Sequence, residues 1–171
     1  SVLKRMNRRY TCEQFREGVE MLRRHFDQPA ITTDVITGFP GESEEEFEET
    51  VRFLEEIRFF EMHVFPYSKR EGTVAAGMEG QLTEQQKKAR SGRLLEMDAV
   101  HSLAYRKQHI GKELPVLFEQ EQEINGEVYQ VGHTQNYIKV AIREKEDMTN
   151  REVVCKLTDM LDDGTVFAQK N

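Results

Sequence analysis

The chain has 171 residues, of which 37% are hydrophobic, and a net charge of −7 at neutral pH, which suits one ordinary domain or two small ones. No apolar run approaches the roughly eighteen residues of a membrane span, and the charged first residues do not resemble a signal peptide. We therefore expect a cytoplasmic protein that does not associate with a membrane.

The charge is distributed unevenly along the chain. Residues 1–26 carry seven Lys/Arg against three Glu, a net charge of +4, whereas residues 113–171 carry six Lys/Arg against twelve Asp/Glu, a net charge of −6. A basic start can meet phosphate groups, and an acidic end argues against a strong nonspecific grip on nucleic acid there.

The two cysteines, Cys12 and Cys155, are far apart in the sequence, and neither has a nearby Cys or His at the spacing of metal ligands. The five histidines are scattered along the chain. The sequence therefore predicts two reduced structural thiols and no metal site held by this chain.

Three helices are indicated by Ser/Thr-x-x-Glu/Gln capping boxes, which begin at Thr11, Ser43 and Thr83. Behind the first two boxes, apolar residues recur every three or four positions, as on one face of a helix. The third helix is predicted to run from about Glu84 towards Ile110, with Gly111 as a plausible end signal.

Two short β-type segments, residues 30–37 and 62–65, lie between these helices. The order is helix, strand, helix, strand, helix, which is typical of βα units with a parallel sheet. After Gly111 five short segments rich in Val, Ile, Tyr and Phe predict a small antiparallel barrel or sandwich. We place the domain boundary there, giving domains at 1–111 and 112–171.

The turn Gly38-Phe-Pro-Gly41 follows a strand and precedes a helix, at the sheet edge where α/β folds bind ligands. It matches neither a Walker loop nor GxGxxG, so it is either a plain tight turn or a ligand-lining one. The glutamates behind it, from Glu42 to Glu46, fit a helix N-terminus with a solvated face.

Asp34 interrupts an otherwise apolar strand, where a buried carboxylate needs a partner. It makes either a structural hydrogen bond to a neighbouring loop or a contact to a ligand. The second strand leads into "HVFPYSKREGT" (63–73), whose aromatic and cationic residues could stack on a purine and pair with an anion, or could form an ordinary surface loop.

Three stretches in order, "LKRMNRRYT" (3–11), "TDVITGFPGE" (33–42) and "HVFPYSKREGT" (63–73), resemble the methylthiotransferase branch of the radical S-adenosylmethionine (SAM) enzymes. Within that branch, "FPYSKREGT" followed by "AAGM" is most similar to the members that act on threonylcarbamoyladenosine in tRNA. The five-strand tail resembles a TRAM domain, a small β-barrel implicated in RNA binding.

The resemblance implies the end of a partial radical SAM barrel, with two parallel strands and their helices, followed by a five-stranded barrel. It also implies insertion of a methylthio group at C2 of the adenosine at position 37, in the anticodon loop, with SAM and two [4Fe–4S] clusters as cofactors. The CxxxCxxC motif that would hold a cluster is absent from this sequence. We therefore expect a carboxyl-terminal portion of a larger enzyme, inactive alone, whose partners are tRNA and the amino-terminal domains of the same protein.

The resemblance also assigns site residues, none of them catalytic. It places Asp34, Val35, Ile36, Gly38, Phe65 and Tyr67 near the adenosine end of the cofactor. RNA contacts are expected from Lys4, Arg5, Arg8, Arg9 and Arg70, and in the tail from Tyr129, Asn136, Tyr137, Lys139 and Arg143. Asp34 stands where the wider superfamily has glycine, and Glu42 comes one position late, so no direct role is assigned to Glu42.

Other functions stay open at this point. The same family acts on isopentenyladenosine in tRNA and on an aspartate of a ribosomal protein, and a non-catalytic RNA-binding or docking module is a different class of function. Two parallel strands taken from a barrel also expose an unpaired edge and an apolar face, so we expect the fragment to associate with itself or to be marginally stable.

Overall fold

The computed structural model describes residues 1–170, which form two compact units, residues 1–101 and residues 102–170. Helices Val2–Arg5 (α1), Cys12–His25 (α2), Glu44–Ile57 (α3) and Glu84–Lys107 (α4) alternate with strands Thr32–Thr37 (β1) and Glu61–Pro66 (β2), and a 3-10 turn covers Val74–Gly77. None of the helices in this part of the chain is long and apolar enough to cross a membrane.

The capping boxes predicted at Thr11 and Ser43 are confirmed, since each hydroxyl accepts a hydrogen bond from the N–H three residues later and the returning side chain accepts one from the cap N–H. Thr83 makes the same exchange with Gln86 at the start of α4. α4 ends at Lys107, three residues before the predicted Ile110, and the unit boundary falls within it. The predicted domain boundary at 111–112 lies ten residues after the unit boundary, where the chain changes from helix to strands.

The first unit contains a two-stranded parallel sheet, as predicted, in which Asp34 pairs with His63, Val35 with Val64 and Ile36 with Phe65. Val35 and Val64 lie on the face that packs against the helices. That face completes a core of buried side chains at Val19, Phe47, Val51, Leu54, Ile57, Phe59, Met62 and Leu94.

The second unit is a closed barrel of strands Glu113–Ile124 (β3), Glu127–Thr134 (β4), Lys139–Ile142 (β5), Glu152–Met160 (β6) and Val166–Lys170 (β7), in the order β3-β4-β5-β7-β6. The prediction of a small five-stranded β domain is confirmed, as a barrel. One detail differs: β5 and β7 pair in parallel, because β6 lies between them in sequence but not in the barrel.

An inner core of the barrel is made by alternate residues of its strands, including Val116 and Phe118 on β3 and Val140 and Ile142 on β5. The β3–β4 hairpin turns at Asn125-Gly126, both with positive φ, as a type I′ turn requires. Gly132 on β4 lies so close to β3 that a Cβ there would be 2.1 Å from the carbonyl oxygen of Leu117.

Candidate functional site

One face of the β1–β2 sheet carries the polar and aromatic side chains that could contact a ligand. Side chains alternate between faces along a strand, so Asp34 and Ile36 share the face opposite the helices with their cross-strand partners His63 and Phe65. Asp34 and His63 are exposed, and Phe65 is 51% exposed. The expectation that Asp34 is buried is therefore wrong, because the helical core packs against the other face, where Val35 and Val64 lie.

A cavity of about 310 Å³ lies beside β1 in the first unit. It brings Arg8, from the basic stretch after α1, together with Asp34, Val35, Ile36 and Phe65, all of which the sequence marked. Its wall also contains Tyr10, Cys12 and Phe15 and, from α3 and its approach, Glu42, Glu46, Glu49, Thr50, Phe53 and Leu54. The mixture of apolar wall and charged groups suits a ligand with an apolar ring and polar substituents.

The Gly38–Gly41 turn is buried from Gly38 to Pro40, and it is held from behind by α4. Gly38 has φ +69°, and a Cβ there would lie 2.6 Å from Cγ of Lys87, so both backbone conformation and space require glycine. Tyr67, predicted as a purine contact, is only 9% exposed and packs edge-on against Phe39. Gly38 and Tyr67 therefore fix the conformation of the turn from its buried side. Of the two aromatics predicted to contact a purine, Phe65 is the exposed one.

Glu42 forms a buried ion pair that the sequence did not predict. Arg90 on α4 donates to its Oε1 at 2.5 Å and to its carbonyl oxygen at 3.0 Å, and both side chains are less than 10% exposed. Oε1 of Glu42 also accepts from the backbone N–H of Gly38 at 3.0 Å. The expectation of a solvated face is thus wrong for Glu42, because its carboxylate closes the turn onto α4.

The basic stretch at the start of the chain divides into engaged and free cations. Arg5 binds the carboxylate of Glu46 at 2.6 Å and the carbonyl oxygen of Gly41 at 3.2 Å, so its charge is engaged by α3 and the turn. Lys4, Arg8 and Arg9 are exposed and make no ion pair within residues 1–170. Hydrogen bonding by Arg5 lowers the pKa of Glu46 to about 2, with Ser1 and the Ser43 N–H acting in the same direction against partial burial.

We expect this pair to make stability depend on acid pH. Because the folded pKa of Glu46 is lower than its ordinary value of 4.5, its contribution is complete above that value and is lost as pH falls from about 4.5 to 2. Glu46→Gln, which can keep the capping box, should lower the free energy of unfolding at pH 7 by about 1–2 kcal/mol after allowance for solvent screening. Urea unfolding between pH 7 and pH 2 should show this difference shrinking with acid. A Glu46→Gln effect of the same size in an Arg5→Met background would contradict the assignment to Arg5.

In the barrel, two of the predicted RNA contacts are engaged with each other. Tyr129 is 3% exposed, with its ring against Phe167, so no base can stack on it. Its hydroxyl donates to Glu127 at 3.0 Å and accepts from Arg143 at 3.3 Å, and Arg143 also pairs with Glu127. The prediction that Tyr129 faces RNA does not fit this placement, since its side chain completes the barrel.

The other predicted contacts in the barrel lie around the β4–β5 turn. Asn136 is half-buried and its amide donates to the hydroxyl of Tyr105 on α4 at 3.2 Å, whereas Tyr137 is 74% exposed. Lys139 opens β5 beside its cross-strand neighbour His133. Arg70, in the loop that follows β2 in the first unit, is exposed.

The residues that the sequence reasoning missed are Arg90 and His63. Arg90 lies 48 positions from Glu42, and no local pattern links them. His63 was detectable, because a polar residue two positions before Phe65 on a strand shares its face.

The cofactors implied by the family resemblance fit this chain to different extents. A half-exposed Phe65, an adjacent Ile36 and a free carboxylate at Asp34 form a surface that an adenosine group can use, with an apolar contact for the ring and an acceptor for hydroxyls. Iron–sulfur clusters do not fit. Within residues 1–170 no group of His, Cys, Asp or Glu could hold a metal ion, and the two thiols are far apart in sequence, with Cys12 exposed and Cys155 buried.

Comparison with known proteins gives matches over most of the chain. The profile of the radical SAM superfamily matches residues 1–54. The threonylcarbamoyladenosine tRNA methylthiotransferase MtaB of Bacillus subtilis is 44% identical over 158 residues, which is 92% of this chain and 35% of that protein.

Two synthases named for a different modified nucleoside are similar as well. The tRNA-2-methylthio-N(6)-dimethylallyladenosine synthase of Oceanobacillus iheyensis is 38% identical over 92% of this chain and 30% of its own length. That of Thermobifida fusca is 46% identical over 68% of this chain and 24% of its own length. The chain thus spans about a third or less of the curated relatives it matches.

Proposed function

Since this chain belongs to the radical SAM methylthiotransferase family, we propose that the protein containing it inserts a methylthio group at C2 of threonylcarbamoyladenosine, at position 37 in the anticodon loop of tRNA. The observation that carries the choice of substrate is the 44% identity to MtaB across 92% of the chain. The parent would use SAM and two [4Fe–4S] clusters, and these groups supply the radical and sulfur chemistry when bound.

This chain's own contribution is to bind and to orient. Ile36 and Phe65 offer an apolar wall for the adenosine end of the cofactor, with Val35 behind it in the core, and Asp34 offers a hydrogen-bond acceptor on the same face as Ile36. Gly38 and Tyr67 act indirectly, by fixing the turn at the carboxyl end of β1. Arg8 is the cation in the same cavity, where it can meet a carboxylate or a phosphate.

RNA contact is supported at exposed cations and at one exposed aromatic. Lys4, Arg9 and Arg70 are exposed in the first unit, and Tyr137 and Lys139 lie together in the barrel. We assign no RNA contact to Arg5, whose guanidinium is paired with Glu46. We assign none to Tyr129 or Arg143 either, because the Tyr129 hydroxyl and the Arg143 guanidinium both bind Glu127. The protein is proposed to act in the cytoplasm, where tRNA is its partner.

A second substrate is favoured by a specific observation: synthases acting on dimethylallyladenosine are 38% and 46% identical to this chain. Mass spectrometry of tRNA nucleosides from a strain deleted for the gene separates the two. Loss of the methylthio group from threonylcarbamoyladenosine alone is the expected result. Loss from the dimethylallyl nucleoside would establish the second substrate, and an unchanged profile would reject both in favour of a ribosomal-protein substrate or a binding role.

The same strain tests whether Asp34, on the exposed face of the β1–β2 sheet, is needed for activity. Complementation with the gene carrying Asp34→Ala should restore much less methylthio product than the unchanged gene. Thr32→Ala is the matched control, because Thr32 is exposed on the same face of β1 two residues earlier but does not line the cavity. Equal product from both variants would contradict the role of Asp34.

Two further properties are predicted for the 171-residue chain by itself. It should not cleave SAM when iron is supplied, and detection of 5′-deoxyadenosine would contradict this. It should also self-associate through the exposed sheet face and edge of the first unit or be marginally stable, and light scattering that shows a stable monomer would count against that prediction.

A further inference from the structure

The turn between β4 and β5 holds one aromatic side chain out in solvent. Tyr137 is 74% exposed, although its neighbour Ile138 is fully buried in the barrel core. Its backbone has φ +62°, in the left-handed region that costs an ordinary residue roughly 1 kcal/mol or more and that glycine or asparagine adopts more easily. The ring therefore contributes little to the fold, and its residue type is unfavourable for the backbone.

The turn itself is fixed without the Tyr137 ring. The hydroxyl of Thr134 donates to Oδ1 of Asn136 at 2.6 Å and accepts from the N–H of Ile138 at 3.0 Å. The N–H of Tyr137 donates to the carbonyl oxygen of Thr134 at 3.0 Å. These bonds set the direction of the Tyr137 backbone, so the side chain is presented in a defined position.

A buried histidine anchors the same turn from inside the unit. Nδ1 of His109 lies 2.9 Å from the carbonyl oxygen of Tyr105, which can only accept, so Nδ1 carries the proton and Nε2 accepts from the Asn136 amide at 2.9 Å. The same amide donates to the Tyr105 hydroxyl at 3.2 Å. A side chain held out by so rigid a turn loses little conformational freedom when it binds a flat partner.

The electrostatic surroundings of Tyr137 differ from the acidic average of the barrel. Lys139 lies two residues on and makes no ion pair within residues 1–170. Its cross-strand neighbour His133 lies 3.1 Å from the carboxylate of Glu119, so this nearby acidic group is already paired. The carboxylates Glu123 and Glu127 lie at the opposite end of the β3–β4 hairpin. That end is about 20 Å away along β4, more than two screening lengths at physiological salt.

We propose that Tyr137 is a stacking platform for an unpaired base of the RNA substrate, with Lys139 beside it as a phosphate contact. The inference rests on the proposed function, since it assigns the RNA a place on the barrel. An exposed ring on a rigid turn next to an unpaired cation is the arrangement that single-stranded RNA recognition uses, because every base has a face for stacking and every nucleotide a phosphate.

The test is equilibrium binding of substrate tRNA to the intact protein. Tyr137→Ala and Tyr137→Gly should weaken binding about 5- to 100-fold, whereas Tyr137→Phe should stay within about twofold. The matched control is Val128→Ala, because Val128 is 53% exposed on the same barrel but at the acidic end of β4. The salt dependence separates base stacking from phosphate contact. Tyr137→Ala should leave the slope of log binding constant against log salt concentration unchanged, and Lys139→Gln should reduce the magnitude of that slope by about one.

Thermal unfolding of the same variants tests whether a loss of fold stability, and not a loss of RNA contact, explains weaker tRNA binding. Because glycine relieves the left-handed backbone, Tyr137→Gly should be as stable as the original protein or more so while its tRNA binding falls. A loss of stability would assign the ring a packing role and overturn the inference. Unchanged tRNA affinity of Tyr137→Ala would overturn it too, whereas an original protein that binds no tRNA would reject the proposed function itself.

Discussion

Replacing Arg90 with alanine should lower the free energy of unfolding by about 3–5 kcal/mol, because it leaves the carboxylate of Glu42 buried without a counter-charge. The carboxylate is 4% exposed, and the Gly38 N–H would be its remaining partner among the bonds of the turn. The guanidinium also lies 5.0 Å from the ring centroid of Phe47, and that contact is lost as well. Urea unfolding should report the loss, and hydrogen exchange should place it within residues 1–101.

Arg93 provides a closely matched control for Arg90. It lies one helical turn further along α4, pairs with Glu48 and approaches the same Phe47 ring at 5.7 Å, but its side chain is 46% exposed. Arg93→Ala should therefore cost much less than Arg90→Ala, since solvent screens the exposed pair. Replacing Arg90 and Glu42 together by methionine should recover much of the stability, because no charge stays buried. An Arg90→Ala chain as stable as Arg93→Ala would contradict the buried pair.

Gly132→Ala should destabilise the barrel by about 3 kcal/mol or more, at the upper end of the cost of overpacking. The added Cβ would lie 2.1 Å from the carbonyl oxygen of Leu117 and 2.6 Å from the Cα of Phe118, and backbone atoms cannot swing away as a side chain can. β4 must therefore move away from β3, which breaks the closure of the barrel. Thermal unfolding followed by circular dichroism should show a lower midpoint temperature for Gly132→Ala than for the original protein.

Gly164 is the control for this substitution within the same barrel. A Cβ added at this position would meet only the carboxylate of Asp162, at the ordinary contact distance of 3.6 Å, and no left-handed backbone angle is required there. Gly164→Ala should therefore leave the transition nearly unchanged. If Gly132→Ala unfolds at the same temperature as Gly164→Ala, the close approach of β3 and β4 at Gly132 is not needed for the fold.

Local rules were sufficient for most of the secondary structure. The capping boxes at Thr11, Ser43 and Thr83 mark the helix starts because a hydroxyl three residues before a Glu or Gln satisfies N–H groups that no other part of the helix can reach. The alternation of helix and strand likewise predicts a parallel sheet, and five short β segments predict a small β domain. The α1 turn at Val2–Arg5 was not predicted, because four residues carry no periodicity.

What the sequence by itself determined was the order and type of these elements, and the motifs that place the chain in its family. Which side chain is free to bind was decided by tertiary structure. Asp34 is exposed, Glu42 is paired and Tyr129 is buried, although the sequence suggested a different environment for each. The physical reason is that burial and charge pairing arise between residues distant in the chain, such as Glu42 and Arg90, whereas capping and periodicity act within a few positions.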